Sequence, residues 1–123
     1  MIEYAIEAAK QSSSESHRVG CVITDRKGNI ISSGFNNETK SHPMQLKFAS
    51  LVGMPEKMFL HAEIHALVRC NGIPHTIYVA RITKGDNIGM AKPCPICELA
   101  IKESGATKVV YTYVDNITAE YNV

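Results

Sequence analysis

The residues best suited to chemistry fall in two short segments that lie well apart along the chain. His61-Ala62-Glu63 supplies an imidazole and a carboxylate, and Pro93-Cys94-Pro95-Ile96-Cys97 supplies two thiols. Three protein ligands with an open fourth position are typical of catalytic zinc, whereas structural zinc is usually held by four. Glu63 is better suited to be a base than a ligand, because a fourth anionic ligand would close the site. The pattern favours a catalytic zinc with His61, Cys94 and Cys97 as candidate ligands.

Both segments must begin a helix if these side chains are to meet. Cys94 and Cys97 are three residues apart, so a helix places both on one face. The free N–H groups and the dipole of a first turn favour thiolates there. His61 and Glu63 are two residues apart and point to different sides of a continuing helix. They approach one metal only if they lie at the open first turn.

Each segment has another interpretation when it is taken alone. Cys-x-x-Cys also occurs in redox sites and as half of a structural zinc knuckle, and an isolated His-Ala-Glu is more often a chance surface tripeptide. His65 follows His61 by one turn and is a tempting extra ligand, but the H-E-x-x-H pattern is not met. We expect His65 to be packed, or to support a ligand without binding metal. A structural zinc module stays open as an alternative if His65 closes the site.

Hydrophobic periodicity and turn residues predict alternating helices and strands. The predicted helices span residues 1–11, 43–51, 61–70 and 95–104. The predicted strands span 19–24, 30–36, 76–82, 108–114 and 117–123, with a loop over 85–92. This order predicts an α/β sandwich with a mixed sheet of five strands.

Length and composition set modest bounds. The chain has 123 residues, 45% of them hydrophobic, and a formal net charge of +1, so residues 1–123 are expected to form a single domain with a real core. Near-neutrality argues against a chain-wide attraction to nucleic acid or to a membrane. We find no signal peptide or transmembrane pattern, and the location expected is the cytoplasm. Cys21 and Cys70 are expected to be buried free thiols.

Several other residues are candidates for contact with a small molecule. Asn36 ends a predicted strand, where its amide is suited either to a turn or to a sugar hydroxyl. Phe35 and Phe48 could stack on a base, but core packing is the stronger expectation. Arg81, Lys84 and Lys92 lie in or beside the loop before the cysteines and are candidates for a phosphate. His17, His42 and His75 have no partner pattern and are expected on the surface or in loops.

The motifs His61-Ala62-Glu63 and Pro93-Cys94-Pro95-Ile96-Cys97, with Gly34-Phe35-Asn36 before them, resemble those of the cytidine deaminase-like superfamily of zinc-dependent nucleobase deaminases. Ser41-His42-Pro43 and Met90-Ala91-Lys92-Pro93-Cys94 are most similar to small phage and bacterial proteins of its deoxycytidylate deaminase-like group. The resemblance implies a three-layer α-β-α sandwich with an antiparallel last strand.

The same resemblance implies an enzyme. Its metal ligands would be His61, Cys94 and Cys97, its cofactor Zn²⁺ and its proton shuttle Glu63, with Asn36, Ala62 and Arg81 assigned to substrate binding. The implied reaction is hydrolytic deamination of a cytosine nucleoside or nucleotide, with release of ammonia. Oligomeric relatives and the apolar C-terminal segment lead us to expect a homo-oligomer.

Two alternatives remain. A deaminase acting on cytosine or adenine within single-stranded DNA or RNA would need a basic, aromatic groove. The near-zero charge and the absence of tryptophan weigh against it. The other alternative is the non-catalytic structural zinc module.

Overall fold

The computed structural model describes all 123 residues. Its four helices are α1 (Ile2–Ala9), α2 (Pro43–Leu51), α3 (Ala62–Val68) and α4 (Pro95–Glu103). Its six strands are β1 (His17–Thr24), β2 (Ile30–Phe35), β3 (Thr76–Thr83), β4 (Ile88–Gly89), β5 (Lys108–Val114) and β6 (Ile117–Asn122). Every predicted element is present, and the two-residue β4 lies within the segment predicted to be a loop.

One mixed sheet organises the molecule. Five strands follow the order β2-β1-β3-β5-β6, and β4 pairs with β3 outside this path. Only β3 and β5 are parallel, because α4 carries the chain from one to the other, and all remaining pairs are antiparallel. The antiparallel last strand agrees with the expectation from the resemblance, and β4 adds a sixth strand to the predicted five.

Helices cover both faces of the sheet, which gives the predicted three layers. On one face α1 packs on β1 and β3, where Ala5 meets Val22 and Ala80. On the other face α3 lies on β1 and β2, and α4 contributes Ile101 to the main core. Helix α2 packs outside α3 and α4 through a second apolar cluster that includes Phe48.

Gly34 allows α3 to lie directly on β2. A Cβ atom at this position would lie 2.5 Å from the Ala66 nitrogen and 2.9 Å from the Ala62 carbonyl oxygen. A buried hydrogen bond from the Ser32 hydroxyl to the Ala66 carbonyl oxygen (2.6 Å) adds a polar contact between the same two elements. The sheet therefore fixes the position of α3, the helix that carries His61 and Glu63 at its beginning.

Candidate metal centre and active site

Two helix beginnings meet in front of the sheet and bring the predicted ligands together. His61 is the N-cap of α3 and Cys94 is the N-cap of α4, both in extended backbone conformations. Neither side chain caps its own helix, so both are free to face the opposite helix. Pro95 occupies the start of α4, where proline is well tolerated, and Cys97 lies in the first turn. This is the open-turn arrangement that the spacing of His61 and Glu63 required.

The three side chains form a compact group. His61 Nδ1 lies 3.5 Å from Cys94 Sγ and 3.4 Å from Cys97 Sγ, and the ligand atoms all lie within 4.8 Å of one another. A tetrahedral zinc with a Zn–S distance of about 2.3 Å and a Zn–N distance of about 2.0–2.1 Å separates nitrogen from sulfur by about 3.5 Å. The donor set and its spacing therefore fit zinc.

The two cysteines differ in their surroundings. A hydrogen bond from the Cys97 thiol, together with one from His61, lowers the pKa of Cys94 to about 4. Burial raises the pKa of Cys97, and the negative charges of Cys94 and Glu63 act in the same direction. One thiolate is therefore favoured before a metal arrives, and a bound divalent cation favours deprotonation of both.

Glu63 lies beside this group without belonging to it. Its side chain is buried in the first turn of α3, and no cation lies within ion-pair distance. Burial raises the pKa of Glu63 to about 6, against the opposing charge of His61. A carboxylate in this position is suited to accept and return a proton near neutral pH.

Gln45 holds the beginning of α3, and the sequence pattern did not reveal it. This fully buried side chain of α2 accepts a hydrogen bond from the His61 N–H (3.1 Å) and donates one to the Lys57 carbonyl oxygen (2.9 Å). Gln45 therefore fixes the backbone of a candidate ligand. Only the three-dimensional meeting of α2 with the segment before α3 identifies this role.

His65 points away from the candidate metal site. Its Nδ1 accepts a hydrogen bond from the Phe35 N–H (3.1 Å), and its ring packs edge to face on the Phe35 ring. No fourth histidine, cysteine or acidic residue joins the group of three. This arrangement agrees with the expectation that His65 is packed. Because His65 is not a fourth ligand, the argument for a closed structural zinc site loses its support.

A cavity of about 500 Å³ opens over the candidate metal site. The residues assigned to substrate binding, Asn36, Ala62 and Arg81, all line it together with His61, Glu63 and Cys94. Met90, Ala91 and Lys92 line the same cavity, so the loop before the cysteines borders the pocket, whereas Lys84 does not reach it. Glu38 and Phe59 also border the cavity, although no motif in the sequence marks them.

Two expectations, for His17 and Cys70, need refinement, and the expected packing of Phe35 and Phe48 agrees with the structure. His17 is exposed as expected, but it begins β1 and lines the cavity, so it belongs to the candidate site. Cys70 is only partly buried and bonds the Gly72 carbonyl oxygen, because it follows the end of α3 near the surface, whereas Cys21 is buried as expected. Phe35 and Phe48 pack in the structure and do not border the cavity.

Asn36 has a structural task in addition to its place in the cavity. Its Oδ1 accepts a hydrogen bond from the Val19 N–H (2.9 Å), and its Nδ2 donates to the His17 carbonyl oxygen (2.8 Å). The side chain therefore extends the pairing of β1 with β2 by one further step. One amide hydrogen and one lone pair remain for a ligand.

None of the four helices has both the length and the hydrophobicity that a membrane-spanning segment requires.

Comparison with solved structures identifies proteins of the same fold. In solved structures the chain is similar to a cytidine deaminase from Burkholderia pseudomallei, with 22% identity, a TM-score of 0.68 and coverage of 98% of this chain and 88% of that one. It is also similar to a dCMP deaminase from the cyanophage S-TIM5, with 21% identity, a TM-score of 0.53 and coverage of 89% and 80%. These likenesses establish the fold. A search of curated protein sequences gave no match.

Sequence comparison with family models decides the family. Residues 1–113 match the model described as the cytidine and deoxycytidylate deaminase zinc-binding region. That span includes the three candidate ligands, Glu63 and all the cavity residues named above. The chain therefore belongs to the cytidine and deoxycytidylate deaminase family.

Proposed function

We propose that this protein is a zinc-dependent hydrolase that deaminates a cytosine nucleoside or nucleotide to the uracil form with release of ammonia. The observation that carries the proposal is a buried carboxylate, Glu63, that lies at a cavity beside three zinc-compatible ligands and is not one of them. A structural zinc site does not require an additional carboxylate of this kind, because protein ligands fill its four coordination positions.

In this proposal His61, Cys94 and Cys97 hold the metal. Bound zinc would lower the pKa of a water molecule and would stabilise negative charge on its oxygen. Glu63 accepts a proton from the attacking water while the water oxygen bonds to C4 of cytosine. Glu63 then passes that proton to N3 of the ring. The second water proton goes to the amino group, the C4–N bond breaks, and ammonia leaves as the C4 carbonyl forms.

The cavity walls would bind and orient the substrate. Asn36 retains one donor and one acceptor for a sugar hydroxyl, and Ala62 packs beside the reacting centre with only 1% of its surface exposed. Arg81 supplies a cation on the side of the cavity formed by β3. A volume of about 500 Å³ is within the range of small-molecule pockets.

We further propose that residues 1–123 act as one deaminase domain in nucleotide metabolism, in the cytoplasm and as a homo-oligomer. All four cysteines are free thiols, as is usual for proteins of a reducing compartment. Exposed apolar side chains near the C-terminus, Tyr113, Val114, Ile117 and Val123, are available for an interface.

A substrate panel tests the proposal. The zinc-loaded protein is incubated with cytosine and adenine as bases, nucleosides, monophosphates and single-stranded oligonucleotides, and ammonia is measured. We expect turnover of free cytosine nucleosides or nucleotides, and loss of that turnover in Glu63→Ala. Deamination of oligonucleotides alone would favour the polymer-acting alternative, and no deamination of any compound by zinc-loaded protein would reject the enzyme.

A further inference from the structure

We propose that a second cavity, at the end of the sheet opposite the candidate metal site, binds a small organic anion with an apolar body. The volume of this cavity is about 780 Å³, within the range of small-molecule pockets. His17, the first residue of β1, borders the cavity over the metal site, whereas Asp25, which follows the last residue of β1, borders the second cavity. The length of an extended strand separates the two cavities by roughly 25 Å.

Three connections between helices and strands form the walls of the second cavity. They are the turn from β1 to β2 (25–29), the loop from α3 to β3 (71–75) and the turn from α4 to β5 (105–107). The backbone of His75 joins the middle loop to its surroundings. Its N–H donates to the Thr24 carbonyl oxygen (2.9 Å), and its carbonyl oxygen accepts from the Thr107 N–H (2.9 Å). The walls are therefore held in place by the protein's own hydrogen bonds, which lowers the cost of ordering them around a ligand.

The charged side chains of this cavity favour an anion. Asp25 is its only acidic lining residue, and the Asp25 carboxylate accepts hydrogen bonds from the Lys27 N–H and the Asn29 N–H (both 2.9 Å). The carboxylate is therefore engaged in its own turn. Arg26 and Lys27 also line the cavity, and neither side chain belongs to any of the four ion pairs of the structure. A guanidinium beside an ammonium is suited to a carboxylate, sulfonate or phosphate group from solution.

The same cavity has an apolar wall. Ile73 lines it and is 84% exposed, more than any other large hydrophobic side chain of this protein. Pro74 and the half-buried Ile31 continue the apolar surface. A ligand that covers Ile73 gains free energy because it removes apolar surface from water. Together with the two cations, this wall defines a ligand that is anionic at one end and apolar over the rest.

The polar groups of the cavity are suited to holding a ligand and not to converting it. Its one imidazole, His75, is joined through Nδ1 to the neighbouring Thr76 hydroxyl (2.9 Å). The Thr107 hydroxyl donates to the His75 carbonyl oxygen (3.2 Å). Two adjacent cations also suit one anionic group, whereas a polynucleotide backbone is bound through many phosphate contacts. We therefore assign the second cavity to a single small molecule.

Two fluorescent probes test the proposal in the zinc-loaded protein. Anilinonaphthalene sulfonate is an apolar aromatic anion, and phenylnaphthylamine has the same rings without the sulfonate. The wild type should bind the sulfonate about tenfold more tightly than the neutral amine, since two exposed charge contacts are together worth about that factor. Fluorescence titration measures both affinities, and calorimetry confirms them.

Two variants of the cavity and two matched controls locate the binding. Ile73→Ser should weaken sulfonate binding about tenfold through the loss of apolar contact. The double variant Arg26→Gln/Lys27→Gln should weaken it by about the same factor and should remove most of its salt dependence. Leu51→Ser, at another exposed apolar residue, and Lys40→Gln/Lys84→Gln, at exposed lysines, change side chains that line neither cavity and should bind as the wild type does.

Losses confined to the two cavity variants would support the second site. Unchanged sulfonate affinity in either cavity variant would overturn it, as would an equal loss in the matched controls. Equal affinity of the wild type for the two probes would show that the cavity does not select an anion. Circular dichroism confirms that each variant is folded. Because the experiment measures binding and not ammonia release, its failure is distinct from a failure of the proposed function.

Discussion

Glu63 is the residue on which the proposed chemistry depends most. Replacement by alanine should leave zinc content and the circular dichroism spectrum unchanged, because Glu63 is not among the candidate ligands. Activity should fall by at least 10²-fold, since a general acid–base residue is typically worth about 10²–10⁴-fold and Glu63 serves more than one proton transfer. Steady-state ammonia release measures the loss. A variant that keeps more than a tenth of the wild-type rate would remove Glu63 from the mechanism.

His65 offers the complementary substitution on the same helix. His65→Ala should keep one zinc per chain in elemental analysis, because its ring bonds Phe35 and lies outside the ligand group. The expected effect is a loss of stability of about 1–3 kcal/mol from the unsatisfied Phe35 N–H and the lost packing. If His65→Ala loses its metal, the site has a fourth protein ligand and the structural interpretation returns.

At the residue scale, the sequence predicted those candidate site residues that lie two or three positions apart in a motif. The ligands and Glu63 are recognisable because each pair is separated by two or three residues at a helix start. His17 and Gln45 were not recognisable, because their roles depend on strand pairing and on helix packing over long sequence separations. Local sequence patterns carry no information about contacts between residues that lie far apart in the sequence.

Gln45 makes α2 an element of the active site. Gln45→Leu keeps the volume of the side chain but leaves the His61 N–H and the Lys57 carbonyl without partners. Each buried polar group left unsatisfied costs about 1–3 kcal/mol, so we expect a lower midpoint of urea unfolding and weaker zinc retention in competition with a chelator. Ser50→Ala, an exposed position on α2, is the control and should change neither. A Gln45→Leu protein with unchanged stability and zinc retention would contradict this positioning role.

Element boundaries could be predicted closely where a cap or a turn residue is present. Helix α2 begins at Pro43, as predicted, because His42 caps it by accepting a hydrogen bond from the Met44 N–H. Strand β4 was missed because two residues carry no periodicity, and its pairing with β3 is decided by the turn after Thr83. The order of the strands in the sheet could not be predicted from local sequence patterns either, because it depends on how α4 returns the chain to the sheet.

Zinc should stabilise the whole molecule, because its candidate ligands join the beginnings of α3 and α4. A metal present at about 1,000 times its dissociation constant contributes about 4 kcal/mol to folding. Removal with a chelator should therefore lower Tm by at least ~10 °C, and added zinc should restore it. Cys97→Ala should show the lower Tm with and without chelator. A Tm that does not respond to the chelator in zinc-loaded wild type would argue against this coupling.

The C-terminal hairpin exposes apolar side chains beside an edge strand. Of the apolar residues near the chain end, Tyr111 and Tyr121 pack on the core and on each other. Val114 and Ile117, which pair at the tip of the hairpin, are 42% and 58% exposed, and β6 is an edge strand with one unpaired side. An exposed edge strand with apolar neighbours tends to pair with another chain.

We therefore expect light scattering at micromolar concentration to give a mass above one chain of 13.5 kDa. Ile117→Lys should shift the protein toward the monomer, because it places a charge in the proposed interface. Ile73→Lys is the matched control: Ile73 is 84% exposed but lies before β3, near the start of β5 and so at the opposite end of that strand from Val114. A monomeric wild type would refute the oligomer, and equal dissociation by both substitutions would show that the hairpin tip is not the specific contact.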